Sequence, residues 1–127
     1  MRTLLDTQSY YWSLCEPGKL SNAAAREMQS RSRSMILSVA TFWEMAIKSA
    51  LGKLTLPKNV ELLWQEAEAV GIGILPILPI HLSSLATLPH HHRDPFDRLM
   101  IAQALAEGWE VVSSDNQWDA YGVTRIW

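Results

Sequence analysis

A chain of 127 residues can bury about two thirds of the surface its unfolded form exposes, so one self-standing domain is expected. Hydrophobic residues make up 48% and charged residues 19%, with six Trp, which excludes a disordered or fibrous chain. Eleven Lys and Arg against thirteen Asp and Glu give a net charge of -2, which excludes a global positive field for nucleic acid or an anionic membrane. A polyanionic partner must therefore be held locally.

The chain opens on MRTLLDT, in which a short apolar run at residues 3–5 predicts a strand ended by Asp6. Asp6 interrupts the run too early for a secretory leader, and no later apolar run approaches the roughly 18 residues of a membrane span. A cytoplasmic location is the expectation. A helix follows Asp6 up to the Pro17-Gly18 stop, and Ser21 caps a second helix that runs through Arg31. Cys15 is the sole cysteine, so there is no internal disulfide and no cysteine-based zinc site; in an apolar helix without a basic partner it reads as a packed thiol.

A second strand is expected at residues 35–39 and a helix at 41–51, ended by Gly52. Asn59 caps a helix over 60–70 before Gly71, and a third strand lies in 72–77. A shorter helix covers 79–87. Asp94 followed by Pro95 marks the start of a helix over 96–107, closed by Gly108. Strands at 110–113 and 123–126 complete the chain, which has no internal repeat or long linker. This alternation predicts an α/β fold, with a mainly parallel sheet covered by helices on both faces. In such sheets the ligand crevice lies beyond the carboxyl ends of the strands.

Four acids fall toward that rim. Asp6 follows the first strand, Asp115 comes just after the fourth, and Glu44 and Asp97 lie in the first turns of helices. Carboxylates gathered in a cleft raise one another's pKa unless a cation neutralises them, so the cluster predicts a metal site, and all-oxygen ligands favour Mg2+ or Mn2+ over zinc. A hard divalent ion held this way suits hydrolysis of a phosphodiester by an activated water. Each acid also has an ordinary structural reading. Asp6 and Asp94 can cap helices, Thr41 to Glu44 fits a capping box, Glu44 can pair with Lys48, Asp97 suits a helix N-terminus, and Asp115 can form a turn with Asn116. Four such coincidences at one rim are the less economical account.

Around the acids, His90, His91 and His92 read as a solvated loop, because adjacent residues seldom point at one ion. Arg93 and Arg98 in the same stretch are candidates for contact with the phosphates of a polyanionic partner, or Arg98 for tethering a carboxylate. Tyr10, Tyr11 and Trp12 are candidates for base stacking; most of the Trp residues suit core or subunit contact.

The segments LLDT at 4–7, SVATFWEMAIK at 38–48, HHRDPFDRLMIAQA at 91–104 and VVSSD at 111–115 resemble the motif set of PIN-domain ribonucleases, and more narrowly of VapC-type toxins from toxin–antitoxin pairs. The resemblance implies a PIN-like three-layer α/β/α domain over the whole chain, residues 1–127. It also implies an Mg2+ or Mn2+ site for endonucleolytic RNA cleavage at Asp6, Glu44, Asp97 and Asp115, a homodimer, and a cognate antitoxin that blocks the cleft. Gln8 stands where many relatives have His. Two other readings are a PIN-like binding module that cleaves nothing and a phospho-acceptor receiver domain; against the latter, the last lysine is Lys58 and Asp6 has no adjacent acid.

Overall fold

The computed structural model describes residues 2–30 and 33–127. In chain order the elements are β1 (Arg2–Leu5), α1 (Thr7–Cys15), a 3-10 turn (Pro17–Lys19), α2 (Asn22–Gln29), β2 (Ser34–Ser38), α3 (Val39–Ala50) and α4 (Val60–Ala69). They continue with β3 (Gly73–Leu75), α5 (Pro79–Ala86), α6 (Pro95–Glu107), β4 (Glu110–Val112), a second 3-10 turn (Asn116–Tyr121) and β5 (Arg125–Ile126). The expected end of the second helix at Arg31 lies outside the described residues.

The strands form one sheet in the order β3-β2-β1-β4-β5, and every described pairing is parallel. This order differs from the 2-1-3-4-5 order of receiver-type folds, which removes the phospho-acceptor reading. The chain winds outward from β1 to β3, then returns to the other side of β1 with β4. The switch point therefore lies between β1 and β4, where Leu5 is in register with Val112.

Alternation along the strands builds the layers. Leu4, Ile36 and Val111 point into a core lined by Leu99, Met100 and Ile101 of α6, while Leu5, Leu37 and Val112 point into a second core with Tyr10, Phe42, Met45 and Leu63. Both faces of each central strand are buried, so the fold is a three-layer α/β/α sandwich, as the sequence predicts. The two borders of the sheet, β3 and β5, are only 3 and 2 residues long.

Local signals set most boundaries. Asp6, Ser21, Asn59 and Asp94 all cap helices through their side chains. Gly108 takes the left-handed conformation, φ 71°, that turns α6 into β4 within two residues. The start of α3 differs from expectation. β2 passes into α3 with no intervening loop, and Ser38 rather than Thr41 is the cap, its hydroxyl accepting from the amide of Ala40. The Thr41–Glu44 capping box is thus not formed, and Glu44 lies in the second turn of the helix.

Candidate active site

Parallel strands release their chain ends on one side, and at the switch point the acids converge there. Asp6, Glu44, Asp94, Asp97 and Asp115 line a single cavity of about 360 Å3 together with Thr7, Gln8, Tyr11, Trp12, Lys48, Leu54 and Ser114. All four acids expected at the rim are in it, although they come from α1, α3, α6 and the segment after β4.

Each acid is held by the element that carries it. Asp6 is 4% exposed; its Oδ1 accepts from the amide of Ser9 at 2.8 Å and so caps α1, while its own amide donates to Val112 O of β4 at 3.1 Å. Capping and membership of the cavity are therefore compatible readings of one residue. Glu44 is buried, with Oε2 bonded to Lys48 Nζ at 2.5 Å and Oε1 without a hydrogen-bond partner among the described residues. Asp94 is the α6 cap, its Oδ1 accepting from the amides of Phe96 and Asp97. Asp115 accepts from the amide of Gln117 through Oδ1 and from His92 Nε2 through Oδ2 at 2.7 Å.

The electrostatics follow from this crowding. Burial pushes the Asp97 carboxyl up to about 8, helped by the charges of Asp94, Asp6, Glu44 and Asp115. Burial also raises the Asp6 carboxyl, although bonds to Ser113 and Ser9 oppose the shift. Lys48 is the cavity's only cationic side chain among the described lining residues; burial opposes its charge, but the bond to Glu44 and the charges of Asp94 and Asp97 prevail and raise its pKa. A site with a surplus of carboxylates, one buried carboxylate oxygen unpartnered and one carboxyl held near 8 has the donor set of a hard divalent cation.

Three sequence expectations are corrected. His92 is not in a solvated loop: it is 9% exposed, and its Nε2 lies 3.2 Å from Asp97 Oδ2 as well as 2.7 Å from Asp115 Oδ2, so that one donor atom of each residue falls within 4.8 Å of the others. His90 and His91 are exposed, as expected. Arg98 neither faces the cavity nor tethers a carboxylate. It is buried, and its guanidinium donates to Pro89 O, Leu88 O and Tyr121 Oη. Cys15 is exposed at the end of α1 rather than packed. Arg93 is exposed on the loop before α6 and is not a lining residue.

Among the aromatic candidates, Tyr10 is core, packed edge-on against Phe42, whereas Tyr11 and Trp12 line the cavity. Trp12 also contacts the Trp127 ring, with centroids 5.8 Å apart. Of the other Trp residues, Trp118 is fully buried and Trp43 is 52% exposed. Lys48 and His92 are the cavity neighbours that sequence reasoning assigned elsewhere, one as a surface pair and one as loop.

A parallel three-layer domain with an acidic cavity at the β1/β4 switch point is the arrangement expected of PIN domains, and the PIN domain family model matches residues 3–123; the chain belongs to this family. Ribonuclease VapC22 of Mycobacterium tuberculosis is 30% identical over 115 residues, covering 90% of this chain and 87% of that protein. In solved structures, VapBC2 from Rickettsia felis bound to a promoter DNA fragment superposes with a TM-score of 0.71 at 12% identity, over 98% of this chain and 97% of that one. VapBC-1 from nontypeable Haemophilus influenzae gives 0.66 at 18% identity, over 98% and 96%. At these identities the structures speak for the fold.

Proposed function

We propose that this protein is a metal-dependent endoribonuclease, the toxin of a toxin–antitoxin pair, hydrolysing RNA phosphodiester bonds in the acidic cavity. The observation that carries the reading is the meeting of Asp6, Glu44, Asp97 and Asp115 in one cavity, with the Asp97 carboxyl pushed up to about 8 by burial and by its neighbours' charges. Kinship with a protein named as a ribonuclease supports the same reaction.

Asp6, Glu44, Asp97 and Asp115 are the residues that would hold Mg2+ or Mn2+. Such an ion, when bound, lowers the pKa of water and offsets the charge that builds on the phosphate. One carboxylate oxygen of the cluster orients the attacking water and takes its proton as the new phosphorus–oxygen bond forms, and the leaving ester oxygen, as its bond to phosphorus breaks, takes a proton from that carboxyl or from water. Lys48 donates to Glu44 and brings one positive charge to a cavity that must admit a polyanion. Tyr11 and Trp12 offer ring faces to flanking bases. Arg93, exposed beside α6, meets phosphate outside the cavity; Arg98 has no such role, its donors being spent on the loop.

The partners in this reading are RNA, a cognate antitoxin that blocks the cavity, and a second copy of the chain. Exposed apolar side chains on α3 and at its C-terminal cap (Trp43, Ile47, Leu51) and on α5 (Ile80, Leu82) supply surface for protein contacts. The site of action is the cytoplasm; among the described residues no helix is long and apolar enough to cross a membrane.

The test is cleavage of structured RNA with and without Mg2+ by wild type and Asp6→Asn. Wild type is expected to cut only with the metal and the variant not at all. Equal activity in both removes the catalytic assignment, and RNA binding without cleavage by wild type favours the binding-module reading.

A further inference from the structure

His92 joins two of the cavity's acids, which come from different elements. Its Nδ1 accepts from the amide of Asp94 at 3.0 Å, so the ring hydrogen sits on Nε2, where it donates to Asp115 Oδ2 at 2.7 Å and lies 3.2 Å from Asp97 Oδ2. Asp97 is in the first turn of α6 and Asp115 follows β4, so this imidazole is a direct side-chain link between those segments.

The loop that carries His92 is itself anchored. The amides of His91 and His92 both donate to Tyr121 Oη, at 2.8 and 2.7 Å. Arg98 donates to the same oxygen at 3.2 Å and to the carbonyls of Pro89 and Leu88. Leu88 is inserted in the core beneath. A buried guanidinium and a phenol thus fix the backbone, and the backbone fixes the ring.

We propose that His92 is a positioning residue, which holds the Asp97 and Asp115 carboxylates at a set separation for a divalent cation without binding the cation itself. Two carboxylates this close repel, and an N–H donor shared between them offsets part of that repulsion while leaving most of their lone pairs to a metal. Asp115 is then oriented through both oxygens, by Gln117 on one and His92 on the other. Ligating carboxylates are commonly hydrogen-bonded in this way, and losing such a partner typically costs 10–100-fold in metal affinity.

The role rests on the proposed metal site and is tested by titrating the metal-free protein with Mn2+ in a calorimeter, alongside electron paramagnetic resonance with 15N-labelled histidine. His92→Ala is expected to weaken Mn2+ binding by about 10–100-fold. His92→Gln, whose amide can donate from a similar position, is expected to recover most of the loss, with no nitrogen bonded directly to the ion in wild type. Unchanged or tighter binding by His92→Ala overturns the positioning role, and so does a directly bonded histidine nitrogen that the substitution removes. If His92→Ala does not fold, Tyr121→Phe loosens the same loop without touching a carboxylate: weaker binding supports the role and unchanged binding overturns it. Wild type that binds no Mn2+ at all sinks the metal site itself, a result distinct from a failure of His92 alone.

Discussion

Glu44 grips Lys48 with one carboxylate oxygen and leaves the other buried and unpartnered among the described residues, so the pair neutralises charge without satisfying the group. Replacing Lys48 by Met strands a buried carboxylate. The metal-free variant is expected to lose roughly 1–2 kcal/mol, the partial exposure of Lys48 keeping the loss below that of a fully buried pair. Saturating Mn2+ should recover much of it. Urea unfolding in EDTA and in Mn2+ measures both; a deficit insensitive to Mn2+ means that no cation reaches Glu44.

Asp6 caps α1 and lines the cavity at once, and two substitutions separate these roles. Asn is as good a cap as Asp, so Asp6→Asn should keep the fold and lose cleavage, whereas Asp6→Ala should lose cleavage and about 1 kcal/mol of stability as well. Thermal melts beside an RNA cleavage assay decide the point.

Without metal, stability should fall as pH rises between about 4 and about 8. In this window the Asp97 carboxyl keeps its proton in the folded state but loses it in the unfolded chain, where its value is 3.8. The folded state therefore binds more protons, and the contribution, complete below the unfolded value, is lost as pH climbs through the folded one. Burial drives the shift, with the charges of Asp94, Asp6, Glu44 and Asp115 adding to it, and His92 faces the same carboxylate. Asp97→Asn should flatten this slope. Denaturation in EDTA across the range checks it, and at pH 7 Mn2+ binding should release protons, seen as a dependence of the calorimetric heat on buffer.

Arg93 and Arg98 should behave oppositely. Arg93→Ala is expected to reduce the salt dependence of RNA binding by about 0.7 in log–log slope, the loss of one contact to a single strand. Arg98→Ala should leave that slope intact and destabilise the fold by roughly 2–3 kcal/mol, because the carbonyls of Leu88 and Pro89 lose a charged donor. A reduced slope in the Arg98 variant contradicts its assignment to the loop.

Cys15, exposed at the end of α1, should react with a thiol reagent in the native protein as fast as after unfolding. A rate that rises sharply in denaturant would mean that the thiol is covered, for instance by a second copy.

What the sequence reveals of the site is what strand and helix signals can place. Asp6 and Asp115 are legible because apolar runs end just before them, and Asp94 because it precedes Pro95. Thr41 misleads as a cap because β2 enters α3 directly at Ser38, a junction without the turn residues that usually mark it. Arg98 is next to Asp97 in sequence, yet neighbours on a helix point about 100° apart, which turns one toward the cavity and the other toward the loop. His92 is indistinguishable from His90 and His91 along the chain; the approach of Asp115, from the segment after β4, sets it apart. Relations of this kind depend on tertiary contact and leave no periodic trace.

The brevity of β3 and β5 bears on how other molecules meet this protein. Borders this short present few free amides and carbonyls, so a foreign peptide has little backbone to zip onto, and fibril-like stacking of copies has no template. Recognition is left to side chains: the apolar ridges of α3 and α5, and the charged mouth above β1 and β4.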